Sequence, residues 1–167
     1  MIYHPRNDIY HCCFRMIHIL SSNNLSSIEL DKLKIIDFYL VFPIFLTNNT
    51  YFTFPKGNKI QKNIANQIEQ PYEELPNRKI LFSELNDFQS YALQVLKSKL
   101  IIDIDEENMV MRKGKYFEVA YEQLAKNPYF TSEIHKEIIR VLIAIDLLGE
   151  KGLKSRSGLM EFRYDTV

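Results

Sequence analysis

The run Leu33-Lys34-Ile35-Ile36-Asp37-Phe38-Tyr39-Leu40-Val41-Phe42-Pro43 begins as an amphipathic helix and ends apolar on every side, with one carboxylate inside it. A helix apolar all round must be covered by its own domain or by another protein. The run is too short and too punctuated by charge to cross a bilayer, which takes about 20 apolar residues, so its cover is protein. A lone carboxylate there is costly unless paired, so Asp37 is expected to meet an arginine, Arg15 first among Arg15, Arg156 and Arg163. Phe38, Tyr39, Phe42 and Phe45 are candidate aromatic anchors for a partner, because aromatics commonly dominate interface energies. For any one of them, intradomain core is the favoured reading.

The 167 residues fit one domain, 1–167, with a helical N-terminal part over about 8–70 and a helix, hairpin and C-terminal helices over about 80–167. Twenty-one basic and 21 acidic residues cancel, which argues against a dedicated nucleic-acid binder with a strongly positive domain. The first residues show neither a secretory nor a transit pattern, so a cytoplasmic, membrane-free location is expected. Cys12 and Cys13 are adjacent on a helix, where neighbouring side chains diverge; they read as small core hydrophobes rather than a disulfide or reactive thiols.

Periodicity places a helix over Asp8 to Leu20, with Tyr10, Cys13, Phe14, Ile17 and Leu20 inward and His11, Arg15 and His18 on the opposite face. Ser26 and Glu29 form a capping-box pattern ahead of a second helix that Pro43 ends or kinks. A loop follows from Thr47 to Asn58, then a polar helix around Lys59 to Gln70. Pro71 and Pro76 separate the halves, and another helix runs from about Ser83 to Ser98 with Leu85, Phe88, Ala92, Val95 and Leu96 buried. Leu100 to Ile104, the turn Asp105-Glu106-Glu107-Asn108 and Met109 to Arg112 read as an antiparallel hairpin. Helix then hairpin is the back half of a winged-helix domain, so the fold class predicted is α+β, mostly helical and winged-helix-like, with Asp103 to Lys113 as the wing. Beyond Gly114 the chain returns to helix, with Phe117, Ala120 and Leu124. After Asn127-Pro128, Thr131 caps a long helix that buries Ile134, Ile138, Val141, Leu142, Ile145 and Leu148 and stops at Gly149.

The search for chemistry returns no catalytic residue, no cofactor site and no metal site. There is no Gly-x-x-x-x-Gly-Lys-Ser/Thr loop and no Gly-x-Ser-x-Gly elbow. His4, His11 and His18 recur every seven residues, yet Pro5 separates His4 from the helix and no His-x-x-x-His pair accompanies them, so surface or partner contact is favoured over metal. Asp103 and Asp105 share a strand face as nuclease carboxylates would, but Glu106-Glu107-Asn108 after them read as a solvated hairpin tip. Lys151, Lys154, Arg156 and Arg163 form the densest basic cluster. Interleaved Glu150, Glu161 and Asp165 favour salt bridges over phosphate contact, and Arg156 and Arg163 remain candidate partner contacts.

Tyr3-His4-Pro5 with Asp8-Ile9-Tyr10-His11 and Phe14-Arg15, the segment Leu33 to Pro43, and the ending Arg156-Ser157-Gly158-Leu159-Met160-Glu161-Phe162-Arg163-Tyr164-Asp165 resemble the middle component of ABC-three-component systems, a group that includes Lamassu-type bacterial defence operons. The resemblance implies a small non-enzymatic accessory subunit with a winged-helix-like fold. Such a subunit sits beside an SMC-like or Rad50-like ABC ATPase and an effector, often a nuclease, and meets DNA through the complex. It implies no catalytic residues to carry over. A different class of function, a winged-helix DNA-binding regulator, would place the Ser83 to Ser98 helix in a groove with Gln89, Gln94 and Lys97, a thin set of base-reading side chains.

Overall fold

The computed structural model describes residues 7–22, 25–128 and 132–161. Tyr3, His4, Pro5, Thr131, Phe162, Arg163, Tyr164 and Asp165, named above, lie outside them. Helix α1 (Ile9–Ser21) starts where the Asp8 carboxylate accepts hydrogen bonds from Tyr10 N and His11 N, and it ends where the Ser21 and Ser22 hydroxyls donate to His18 O. Its faces differ from the periodic reading. Tyr10 is 68% exposed, whereas Arg15 and His18 are buried at 4% each. Polar character misled the pattern because Arg15 has a partner inside the protein.

Residues 27–29 correct a second expectation. Ser26 and Glu29 do not form a capping box: Ser27–Glu29 is a strand, β1, and Glu29 stands at the start of α2 (Leu30–Val41) with no side-chain cap bond. Proline at 43 has no N–H to continue the helix, so α2 stops and a 3-10 turn spans Pro43–Leu46. Helix α3 (Ile60–Gln67) buries Ile60 and Ile64. Helix α4 (Arg78–Ser98) starts five residues before the sequence suggested, with Asn77 as its N-cap, accepting from Lys79 N at 2.9 Å. Leu81, Leu85, Gln89, Ala92 and Leu96 form its inward stripe, while Phe88 and Val95 are only partly buried.

The hairpin forms where the turn chemistry placed it, as β2 (Ile102–Ile104) and β3 (Met109–Arg112), with Asn108 at φ 58 in the turn. Strand β1 pairs antiparallel with the other side of β3, Ile28 opposite Val110, giving the sheet order β1-β3-β2. The register puts Ile28, Ile102, Ile104 and Val110 on one face. Ile28, Ile102 and Val110 are at most 3% exposed, so that face is the one turned to the core.

Helix α5 (Gly114–Leu124) buries Phe117. Helix α6 (Glu133–Ile143) is shorter than expected. It does not continue to Leu148: the helix is capped at Ala144 and the chain bends from Ile145 onward, with Ile145 and Leu147 buried and Asp146 between them exposed. The short α7 (Leu153–Ser157) follows and ends at Gly158 in the left-handed conformation, φ 61. Mostly helical with a small antiparallel sheet, the fold is α+β. Buried side chains of these elements form a contiguous core.

Candidate functional site

Sequence placed Asp37 in an apolar helix, and the structure surrounds it with donors from two other helices. Arg15 Nε of α1 lies 2.5 Å from Asp37 Oδ1 and Arg15 Nη2 lies 3.3 Å from Oδ2, a two-pronged ion pair. Gln89 Nε2 of α4 donates to Asp37 Oδ2 at 2.8 Å and to Lys34 O at 3.0 Å. Asp37 and Gln89 are fully buried. Gln89 was not recognised from sequence as part of this site, although its place between Leu85 and Ala92 on the inward stripe of α4 carries the signal. The same burial removes Gln89 from any base-reading role.

Cys12 Sγ approaches Asp37 Oδ2 at 3.8 Å, and Cys13 Sγ approaches Ala92 O at 3.6 Å. Burial, then the Asp37 charge, drives the Cys12 thiol far above its ordinary pKa, and burial pushes Cys13 up to about 11. Both therefore stay protonated at neutral pH and behave as packing groups. With Asp37 sealed from solvent, the cluster offers no room for a substrate. What it does is tie α1, α2 and α4 together.

Phe38, Tyr39, Phe42 and Phe45 are buried in the core, the reading favoured for each of them over a partner contact. Their exposures are 0, 0, 4 and 7%, and the Phe38 ring meets Tyr39, Phe42, Phe45 and Phe82 at centroid distances of 5.2–5.9 Å. Tyr39 continues the cluster to Phe52, and Phe52 to Phe54. Aromatic rings so arranged satisfy one another, leaving no ring face for a partner in this conformation.

Of the basic tail, Lys154 and Arg156 are likewise engaged. Lys154 Nζ stands 3.1 Å from Asp31 Oδ2, and Arg156 donates to Lys151 O at 2.5 Å and to Thr53 O at 2.7 Å. Asp103 pairs with Lys113 at 3.3 Å; the Ile104 N–H bond first, then Lys113, holds its carboxyl below the usual range. Asp105 Oδ1 accepts from Glu107 N and Met109 N, both at 2.9 Å, and so organises the hairpin turn. Asp105→Ala removes both bonds and is expected to cost about 1 kcal/mol in urea unfolding, with the loss of strand signals from β2 and β3 as the local marker.

Among the described residues, no group of three or more His, Cys, Asp or Glu is placed to hold a metal ion. His11 is exposed and stacks edge-on against Phe14, whereas His18 is buried. Burial, reinforced by the charges of His135 and Lys136, lowers the His18 pKa from 6.5 to about 4. The unfolded chain then takes a proton that the native state refuses. Stability is full above about pH 6.5 and is lost as pH falls toward 4, by up to about 1.4 kcal/mol per pH unit. Thermal melts across pH 4–7 are expected to show this acid limb in the native chain and a flatter one in His18→Gln.

Buried polar groups committed to joining helices, a closed aromatic core and an acidic hairpin tip define a packed helical module. The chain belongs to the family described as MC5, ABC-three component (ABC-3C) system Middle Component 5, whose model matches residues 1–165. It is thus an accessory subunit of an ABC-three-component system, made to work with the system's other components. No curated protein and no solved structure matches it. No described helix is long and apolar enough to cross a membrane.

Proposed function

We propose that this chain is a non-catalytic bridging subunit of a cytoplasmic bacterial defence complex of the Lamassu type. It joins an SMC-like or Rad50-like ABC ATPase to an effector, a nuclease, and restrains that effector until the ATPase engages foreign DNA. The observation that carries the reading is the family match across residues 1–165. A single-domain, winged-helix-like architecture is part of the proposal. The element order α1-β1-α2, then α4-β2-β3, with sheet order β1-β3-β2, supports it.

The charge of the would-be DNA face separates this reading from a DNA-binding regulator. The exposed positions of α4 carry Lys79, Glu84, Asp87 and Lys97, two bases against two acids, with Ile80, Tyr91 and Gln94, and the exposed hairpin tip carries Asp105, Glu106 and Glu107. An acidic tip repels phosphates and α4 offers no net positive charge, so neither element suits a groove. A bridging subunit contributes to switching through different contacts in the two states of the complex, while ATP or DNA bound by the partner supplies the free energy. Arg163 and Arg156 remain proposed contacts with that partner.

Affinity purification of the tagged chain expressed from its native operon, with mass spectrometry and mass photometry of the eluate, tests this function. A stoichiometric ATPase and a nuclease are expected. A chain recovered alone, or with duplex DNA and no ATPase, would overturn the bridging role and favour the regulator.

A further inference from the structure

We propose that residues 153–161 form a latch, held shut over the aromatic core by Arg78, which opens as a unit while the rest of the chain stays folded. This goes beyond the accessory-subunit reading and does not depend on it. Arg78, in the first turn of α4, donates from Nη1 to Ser157 O, the carbonyl at the end of α7. Its guanidinium carbon lies 5.7 Å from the Tyr51 ring centroid, a cation–π distance. The buried Tyr39 phenol is near enough to Arg78 and Ser157 to feel both, while its Oη makes no hydrogen bond among the described residues. One cation therefore joins α4, α2, the 47–58 loop and the C-terminal segment at a single point.

Two further cations fasten the latch. Arg156 Nη1 reaches Thr53 O at 2.7 Å, and Lys154 Nζ reaches Asp31 Oδ2 at 3.1 Å. Apolar attachment comes from Leu153, fully buried, and Leu159, with Met160 partly buried, and Lys154 and Ser157 are buried beside them. A five-residue helix has no stability of its own, so α7 exists only while docked. The docking is directional and polar, the kind of attachment that yields locally before a hydrophobic core does. Gly158 shows how closely the clasp fits: a Cβ there would lie 3.1 Å from Arg78 Nη2, and its φ of 61° already favours glycine. Opening the latch uncovers the Tyr39 phenol and frees Thr53 at the edge of the Phe52 and Phe54 rings.

Four amides report on the closed state: Leu153 N bonded to Asp146 O, Lys154 N to Leu147 O, Arg156 N to Gly152 O and Gly158 N to Lys154 O. Hydrogen exchange by NMR on the full chain tests the latch. In the native chain these four are expected to exchange faster than the α1 amides of Met16, Ile19 and Leu20. Arg78→Ala is expected to speed the four by at least about tenfold, equivalent to about 1.4 kcal/mol, and to leave the α1 amides unchanged. Should Arg78→Ala fail to fold, Arg156→Ala removes the Thr53 contact from a half-buried position and is expected to speed the same four by several-fold. Exchange of the four at the α1 rate in both the native chain and the folded variant would overturn the proposal, because it would mean they open only when everything unfolds.

Discussion

Replacing Arg15 with methionine is expected to cost about 3–5 kcal/mol, a large share of the roughly 5–15 kcal/mol that keeps a domain folded. The magnitude follows from what the substitution leaves behind. Asp37 is fully buried and would keep one side-chain amide, from Gln89, and a weak thiol against a full negative charge. Neutralising the acid instead, with Asp37→Asn, takes the counter-charge of Asp37 away from the guanidinium of Arg15, itself 4% exposed, so this variant is also expected to be strongly destabilised. The informative variant is the pair. Arg15→Met with Asp37→Leu removes both charges while Gln89 retains Lys34 O as an acceptor at 3.0 Å, and most of the loss is expected to return. Urea unfolding of the two single variants and the double variant, read as a cycle, measures the coupling directly. A single variant as stable as the native chain would remove the ion pair as a determinant of the fold.

That ion pair was legible from the carboxylate's side, with Arg15 named as its partner, but the burial of Arg15 was not. A carboxylate in an apolar helix announces that it needs a cation, and Arg15 lies on a helix with a strong apolar pattern. The spacing that assigned Arg15 and His18 to solvent failed because periodicity treats every charged residue as exposed, whereas a paired arginine buries its stem and its head together. The hairpin was legible because Asp105 to Asn108 form a turn from local hydrogen bonds, independent of distant chain. Strand β1 was not. Ser27-Ile28-Glu29 has a single apolar residue, and it is a strand only because Met109, Val110 and Met111, some eighty positions later, offer it a free edge. The overlong expectation for α6 has a related origin: Ile145 and Leu147 are apolar in either conformation, and the chain bends after Ala144 with both of them buried.

Phe38→Ala is the second large effect, expected to destabilise by about 3–5 kcal/mol. Phe38 sits at the junction of four rings, from Tyr39, Phe42, Phe45 and Phe82, brought together by α2, the 3-10 turn after it and α4. Truncation removes ring contacts in all four directions, and the neighbours cannot collapse inward together because α2 is also anchored at Asp37 one residue away. Tyr72, fully exposed, provides the control: Tyr72→Ala is expected to change stability by less than about 0.5 kcal/mol. Measured beside partner capture from the operon, the two readings of the aromatic run diverge. If Phe38 is core, capture falls in step with the folded fraction and returns when the variant is stabilised by cooling or osmolyte. If Phe38 touches a partner directly, capture stays low at full folding, and the exposures of 0–7% across Phe38, Tyr39, Phe42 and Phe45 would describe a closed form that must open to bind.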